Sequence, residues 1–407
     1  MGTTIRAVTE GEFASYTRTV QTAFGNHPTT GEVDGWRRVT ELDRTLAAFD
    51  GDRIVATAGA FTFELSTPGR KAVQAAGVTA VGVLPSHRRQ GFLTALMERQ
   101  LDDIAGRGEP VAILTASESI IYRRFGYGAA SFHRSVRIDP HHSEFADTAV
   151  EVGRVEVLDP VAITVPAIHN RARLDQPGDI GRSDAWWALN IADPDWLRGR
   201  APEKFWAQHF SAAGEPDGYV AYRVTPAWQH GIAGADVEVV TLVGLDPAAE
   251  IALWRFVLDL DLTGRVIAHS RPIDEPLGWR LADPRQLLTT SVTDHVWARL
   301  LDVPIALASR SYAGEGEIFF DVEDPFRPDT AGRYMLRTAG DEVECVRTRH
   351  APDLTLGIAE LSSAFLGHSR LAVLAAAGRI VEHAPGAVHR ADRLFGGTTI
   401  PFCRSGF

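Results

Sequence analysis

A basic turn is the part of this sequence whose residue types and spacing suit chemistry, and the tail ends on an aromatic preceded by glycine, able to enter a pocket. The turn, His87-Arg88-Arg89-Gln90-Gly91, follows an apolar run over residues 78–84 that Pro85 ends, and it precedes Phe92, Leu96, Leu101 and Ile104 at helical spacing. The order predicted is strand, basic loop, helix. The first turn of a helix leaves backbone N–H groups unpaired at the positive end of its dipole, which suits a phosphate. Arg88 and Arg89 add charge there, and Gly91 has no side chain to hold a pyrophosphate away from the backbone. Taken alone, the same motif also reads as a surface turn with two solvated arginines.

The continuation narrows the choice. A second apolar strand over residues 111–115 leads into Ser117, a short helical segment and Tyr122-Arg123-Arg124-Phe125-Gly126-Tyr127. Together these segments resemble the acetyl-CoA core of the GCN5-related N-acetyltransferases (GNAT). The resemblance implies that Val81, Gly82 and Val83 pair with the pantetheine arm. It also implies that Arg88, Arg89, Gln90, Gly91, Phe92, Leu93 and Thr94 hold the pyrophosphate, with Ser117 at the cofactor and Tyr122 beside the thioester sulfur. Leu93 departs from the small residue that ends the family's R-x-x-G-x-[GA] pattern. Among these acetyltransferases the chain is most similar to the Eis (enhanced intracellular survival) family, on the motifs LPSHRRQGFLTAL and ASESIIYRRFGYG and a length of 407 residues ending in phenylalanine. The likeness extends to Ala23-Phe24-Gly25-Asn26 and Trp36 near the start and LGHSRLAVLAAAGRI near the end.

That family resemblance assigns further roles. Phe24, Asn26 and Trp36 would border the acceptor pocket; from the residues alone they read as core aromatics and a turn asparagine. The Phe407 carboxylate would act as general base, taking the proton that an ammonium must lose before its nitrogen can attack a thioester. Tyr122 would protonate the departing CoA thiolate, an ordinary phenol pKa of about 10 being matched to a thiol, while Tyr127, after the glycine, turns into the core. The N–H of Val83 would hold the tetrahedral oxyanion. Gly406 stands where some relatives carry an acidic residue and Asn26 where aspartate occurs, so less negative charge is expected around the acceptor. Acetyl-CoA is then the co-substrate, the partner is an amine-bearing small molecule or lysine side chain, and the assembly implied is a homo-hexamer.

Composition bounds the alternatives. The chain is 45% hydrophobic and 23% charged, enough for two or three cores. A formal charge of −11 without a long basic tract argues against nucleic acid and suits cationic acceptors such as aminoglycosides, polyamines and lysine peptides. No apolar run approaches the roughly 20 residues of a membrane helix, and MGTTIRAVTEGEF has no signal-peptide core, so a cytoplasmic protein away from membranes is expected. Cys345 and Cys403 are not spaced as metal ligands and His141-His142 are adjacent, so no metal site is expected.

Elements that must position these residues follow from periodicity. Residues 5–8 read as a strand, 11–24 as an amphipathic helix, 36–39 as part of another, and 45–49 and 54–65 as strands joined by Asp50-Gly51-Asp52. The stretch Thr79-Ala-Val-Gly-Val-Leu-Pro85 recurs as Thr241-Leu-Val-Gly-Leu-Asp-Pro247 before a helix over residues 248–258, which reads as an internal duplication. The second copy has neither arginine nor glycine after its proline, and Glu250 would repel a pyrophosphate, so it should not bind CoA. Trp186, Trp187, Trp196 and Trp206 between the copies read as packing for a small domain or an interface.

Residues 294–303 read as a helix stopped by Pro304, followed by strands over 317–322, 332–338 and 343–348 and helices over 354–366 and 370–377. The expected architecture is therefore three-domain, α/β and α+β. Two tandem acyl-CoA N-acyltransferase (GNAT) folds, catalytic over residues 1–150 and degenerate over 151–291, precede a sterol-carrier-protein-like α+β domain over 292–407. A non-enzymatic lipid carrier or scaffold built on that last domain is the alternative, though it leaves the basic turn and Tyr122 without a role.

Overall fold

Two long alternating runs separated by short turns make the centre of the first sheet. The computed structural model describes residues 4–29, 31–146, 153–158 and 164–407; the expected boundary between 150 and 151 lies outside them. Strands β1 (Thr4–Arg6), β2 (Thr45–Asp50), β3 (Arg53–Thr67) and β4 (Lys71–Val83) pair antiparallel in turn, and β5 (Val111–Thr115) runs parallel to β4. Helices α1 (Phe13–Ala23), α2 (Glu32–Val39), α3 (Phe92–Gly106) and α4 (Ser119–Tyr122) complete the unit. Alternation sends Ala56, Ala58, Ala60 and Val78 into a core with Leu96 and Leu101 of α3. The opposite face, Phe61, Phe63, Leu65, Val73 and Ala75, joins a core shared with the C-terminal unit.

Strand β4 is irregular at two places. The β3–β4 register slips between Thr57 and Gly59, opposite Ala80, whose φ of +54° marks a bulge. Buried side chains serve the backbone there: the Tyr16 hydroxyl donates to Ala58 O at 2.9 Å, the Gln100 amide to Gly59 O at 2.8 Å and the Thr57 hydroxyl to Ala80 O at 2.8 Å. Pairing between β4 and β5 ends at Gly77 and Ile113, and the strands then part. Backbone on the later part of β4 is thereby left open on one side.

The duplication expected from residues 79–85 and 241–247 has a structural counterpart. In the second sheet Ala235–Gly244 pairs in parallel with Thr263–Arg271, and that pairing ends at Val239 and Ala268. Gly77 and Val239 each stand two residues before the repeated Thr79 and Thr241, so both copies part at the same place. The sheets also exchange a strand. Val296–Leu300, late in sequence, lies between β5 and β6 (Gly128–Ala129) of the first sheet. Conversely β7 (Phe132–Ile138), which falls within residues 1–150, pairs with Thr263–Arg271 of the second.

This exchange corrects the helix expected over residues 294–303. All five residues of Val296–Leu300 are buried, so the strand shows no alternation for a sequence pattern to register. Pro304 opens a helix instead of stopping one: it lies in the first turn of Val303–Ala308, whose Ile305 N–H is capped by Asp302 Oδ1 at 2.9 Å. Likewise the helix expected from residue 354 begins only at Ile358, because Leu354–Gly357 is a strand parallel to Gly316–Glu323.

The C-terminal unit has a five-stranded sheet in the order Glu342–Arg347, Gly332–Ala339, Gly316–Glu323, Leu354–Gly357, Ile380–Glu382. Its helix Ile358–Ala364 is buried throughout, and Leu361 and Phe365 share one core with Phe61, Phe63 and Ile113 of the first sheet. The tryptophan-rich segment packs across units. Trp186 sets its edge on Phe61 at 5.0 Å, Trp196 tilts against Trp36 at 5.4 Å, and Trp187 is buried against His169. Among the described residues no helix is long and apolar enough to cross a membrane.

Candidate active site

Helix α3 begins at Gly91, whose φ of +88° is a conformation that glycine takes without strain, and Arg89 just before it is also left-handed at +63°. The tight entry points the first-turn N–H groups outward beside two exposed arginines. A cleft of about 870 Å3 lies at this helix start. Val81, Gly82 and Val83 line it from the part of β4 that has left β5, and Arg88, Arg89, Gly91, Phe92, Leu93 and Thr94 from the loop and helix. Ser117 and Tyr122 line it from the segment after β5, and Phe24, half exposed, from the end of α1. Gln90 turns back, its amide reaching Ser86 O at 3.5 Å, and is not among the lining residues.

The backbone facing this cleft has a defined polarity. Leu84 N–H donates to Val55 O at 2.9 Å, so by alternation the N–H of Val83 points away from β3, toward the opening. Tyr122 is buried, and desolvation together with the nearby Glu118 carboxylate pushes its phenol up to about 12. It therefore stays protonated throughout the neutral range. Tyr127 is fully buried in the core, its ring 5.9 Å from that of Tyr122.

Phe407 reaches the same sheet from the other face. Its ring meets Phe63 edge-on at 5.1 Å, and its main-chain oxygen accepts a hydrogen bond from Thr115 Oγ1, the last residue of β5, at 3.2 Å. Gly77, where β4 and β5 part, makes room for the Phe63 ring on which Phe407 packs: a Cβ there would come within 2.2 Å of Phe63, while Phe407 at 3.4 Å would be in ordinary contact. Asn26 is exposed in the connection between α1 and α2, its N–H bonded to Gln21 O at 2.8 Å, and Trp36 packs at a tilt against Trp196; neither lines the 870 Å3 cleft.

From sequence no site role falls to Thr115, Phe63 and Trp186 at the Phe407 end, nor to Arg124 and His87 individually in the cleft, yet the fold brings them there. A strand-end threonine and a core phenylalanine carry no signal of their own in sequence. Arg124 does carry one: it lies two residues beyond Tyr122, in a basic pair. Cys345 and Cys403 are buried free thiols, and among the described residues no group of three or more His, Cys, Asp or Glu side chains gathers as metal ligands do.

Comparison with known proteins agrees with this geometry. Residues 4–130 and 178–300 each match an acetyltransferase (GNAT) domain, and residues 303–404 match a sterol carrier protein domain. The chain is 39% identical to an uncharacterized N-acetyltransferase of Streptomyces coelicolor over 99% of both chains. It is 32% identical to the N-acetyltransferase Eis of Mycobacterium tuberculosis over 88% of each. The crystal structure of Eis1 from Mycobacterium abscessus superposes with a TM-score of 0.87 at 34% identity, covering 99% of this chain and 100% of that one.

Proposed function

This chain is an N-acetyltransferase of the Eis family within the GCN5-related acetyltransferases, and on that premise we propose that it moves acetyl from acetyl-CoA to amines of aminoglycosides or of lysine- and polyamine-type acceptors. The observation that carries this reading is the cleft that unites the freed edge of β4, the basic start of α3 and Tyr122. Pyrophosphate would rest on the N–H groups of Gly91, Phe92, Leu93 and Thr94 with Arg88 and Arg89, and the pantetheine arm would pair along Val81, Gly82 and Val83.

The Phe407 carboxylate, directly or through one water, would take a proton from the ammonium, freeing the lone pair that attacks the thioester carbon. The resulting oxyanion would meet the Val83 N–H. As the tetrahedral carbon collapses, the C–S bond breaks, sulfur keeps the electron pair and Tyr122 gives it a proton, while the former amine nitrogen sheds its second proton to water, from which Tyr122 would be reprotonated. The products are the N-acetylated amine and CoA. One working site per chain is proposed, because the second copy presents Glu250 where the first has the basic turn. The assembly implied by the family is a homo-hexamer, and the exposed edge strand Leu288–Asp294 offers a surface for such contacts.

The carrier reading finds less support, since the helix Ile358–Ala364 is packed into the core shared with the first sheet. Release of CoA from acetyl-CoA by the untagged protein, screened over aminoglycosides, polyamines and lysine peptides, tests the proposal. Acceptor-dependent release is expected. Binding of acetyl-CoA without transfer to any of the three classes would overturn the acceptor assignment, and no binding would overturn the reaction.

A further inference from the structure

We propose that the second copy of the acetyltransferase fold, having lost its basic turn, uses its vacated cleft region as a socket for the C-terminal tail, with Asp179 as the residue that fixes where the tail ends. The strands Ala235–Gly244 and Thr263–Arg271 part at the position where β4 and β5 part to open the working cleft. In the second copy the corresponding opening is only a cavity of about 260 Å3, and Thr399, Phe402 and Arg404 of the tail line it together with Leu242, Glu250 and Arg271. Tail residues thus stand where a functional copy would receive its ligand. Burial raises the Glu250 carboxyl, and the Arg271 and Arg404 charges oppose that rise.

Beside this cavity, residues 176–182 grip the tail bond by bond. The Gln176 amide donates to Ile400 O at 2.7 Å, and Phe402 N–H to Pro177 O at 2.8 Å. The fully buried Asp179 accepts the Arg404 N–H at 3.1 Å through one oxygen and the Arg404 guanidinium at 2.6 Å through the other. Arg182 then donates to Ser405 Oγ at 2.8 Å. The same segment is tied to β3, where Ser66 N–H donates to Asp179 O and Gly178 N–H to Ser66 O, both at 2.8 Å. Asp179 therefore references the tail to the strand whose Phe63 receives the Phe407 ring. It is a positioning residue, acting through Arg404.

The consequence for transfer rests on Phe407 being the base, so the test reads the tail separately from turnover. Carboxypeptidase release of Phe407 and the kcat and KM for acetyl-CoA are measured on the full-length wild type, Asp179→Asn and Arg404→Gln. The second variant alters only the tail and keeps the test open if the first does not fold. Expected are faster release of Phe407, an unchanged KM for acetyl-CoA and a kcat lower by about a hundredfold, the scale of a 1 Å misplacement. Faster release with unchanged kcat would uphold the socket and overturn Phe407 as base. Release at the wild-type rate from both variants would overturn the socket.

Discussion

In the proposed mechanism Tyr122 and Phe407 divide the proton transfers between two faces of one sheet, and each makes its own prediction. Tyr122→Phe removes the donor while keeping the ring, so kcat should fall by roughly 10²–10⁴-fold with little change in KM for acetyl-CoA; near-normal turnover would remove it from the mechanism. Its pH dependence has a definite sign. Burial raises the phenol to about 12, so the donor stays protonated as pH rises past the ordinary tyrosine value. A kcat profile free of a falling limb near pH 10 is expected, and a limb at that value which disappears in Tyr122→Phe would contradict the effect of burial. Most residues that line the 870 Å3 cleft were legible in sequence, since a basic turn before a helix is a local pattern and the tyrosine after the next strand belongs to the motif that carries the family resemblance. The surroundings of Phe407 were not: Thr115 and Phe63 lie hundreds of residues from the tail, and nothing in their types distinguishes them from ordinary strand residues.

Strands create the opening that these side chains use, through the bulge at Ala80 and the parting at Gly77. The strand exchange makes this opening depend on distant chain. β5, buried from Val111 to Leu114, is covered on one edge by Val296–Leu300, which residues 1–150 lack. Each buried aliphatic side chain is worth about 1.5–3 kcal/mol, so losing that strand removes an amount comparable to the roughly 5–15 kcal/mol net stability of a domain. A fragment of residues 1–150 should therefore aggregate or remain unfolded by circular dichroism. A soluble, cooperatively folding fragment that binds acetyl-CoA would show that the exchange is dispensable. Sequence pattern missed this strand for a physical reason: a strand buried on both faces loses its alternation, and the proline after it starts a helix as readily as it ends one.

At the scale of the whole molecule, the proposed site draws on three units. The first unit supplies the cleft, the second holds the tail, and the C-terminal unit closes the face of the sheet on which Phe407 arrives. The duplication was readable from the repeated strand and proline at residues 79–85 and 241–247, and the order of folds from the family resemblance, whereas the interlocking of units depends on pairings across more than a hundred residues that no local pattern reports. The most direct test of this shared site is removal of Phe407 alone, with acetyl-CoA affinity and acetyl transfer measured on the same untagged preparation. Affinity and thermal stability close to wild type, with transfer lost, are the expected result. Transfer at the wild-type rate after removal of Phe407 would contradict a catalytic role for the chain terminus.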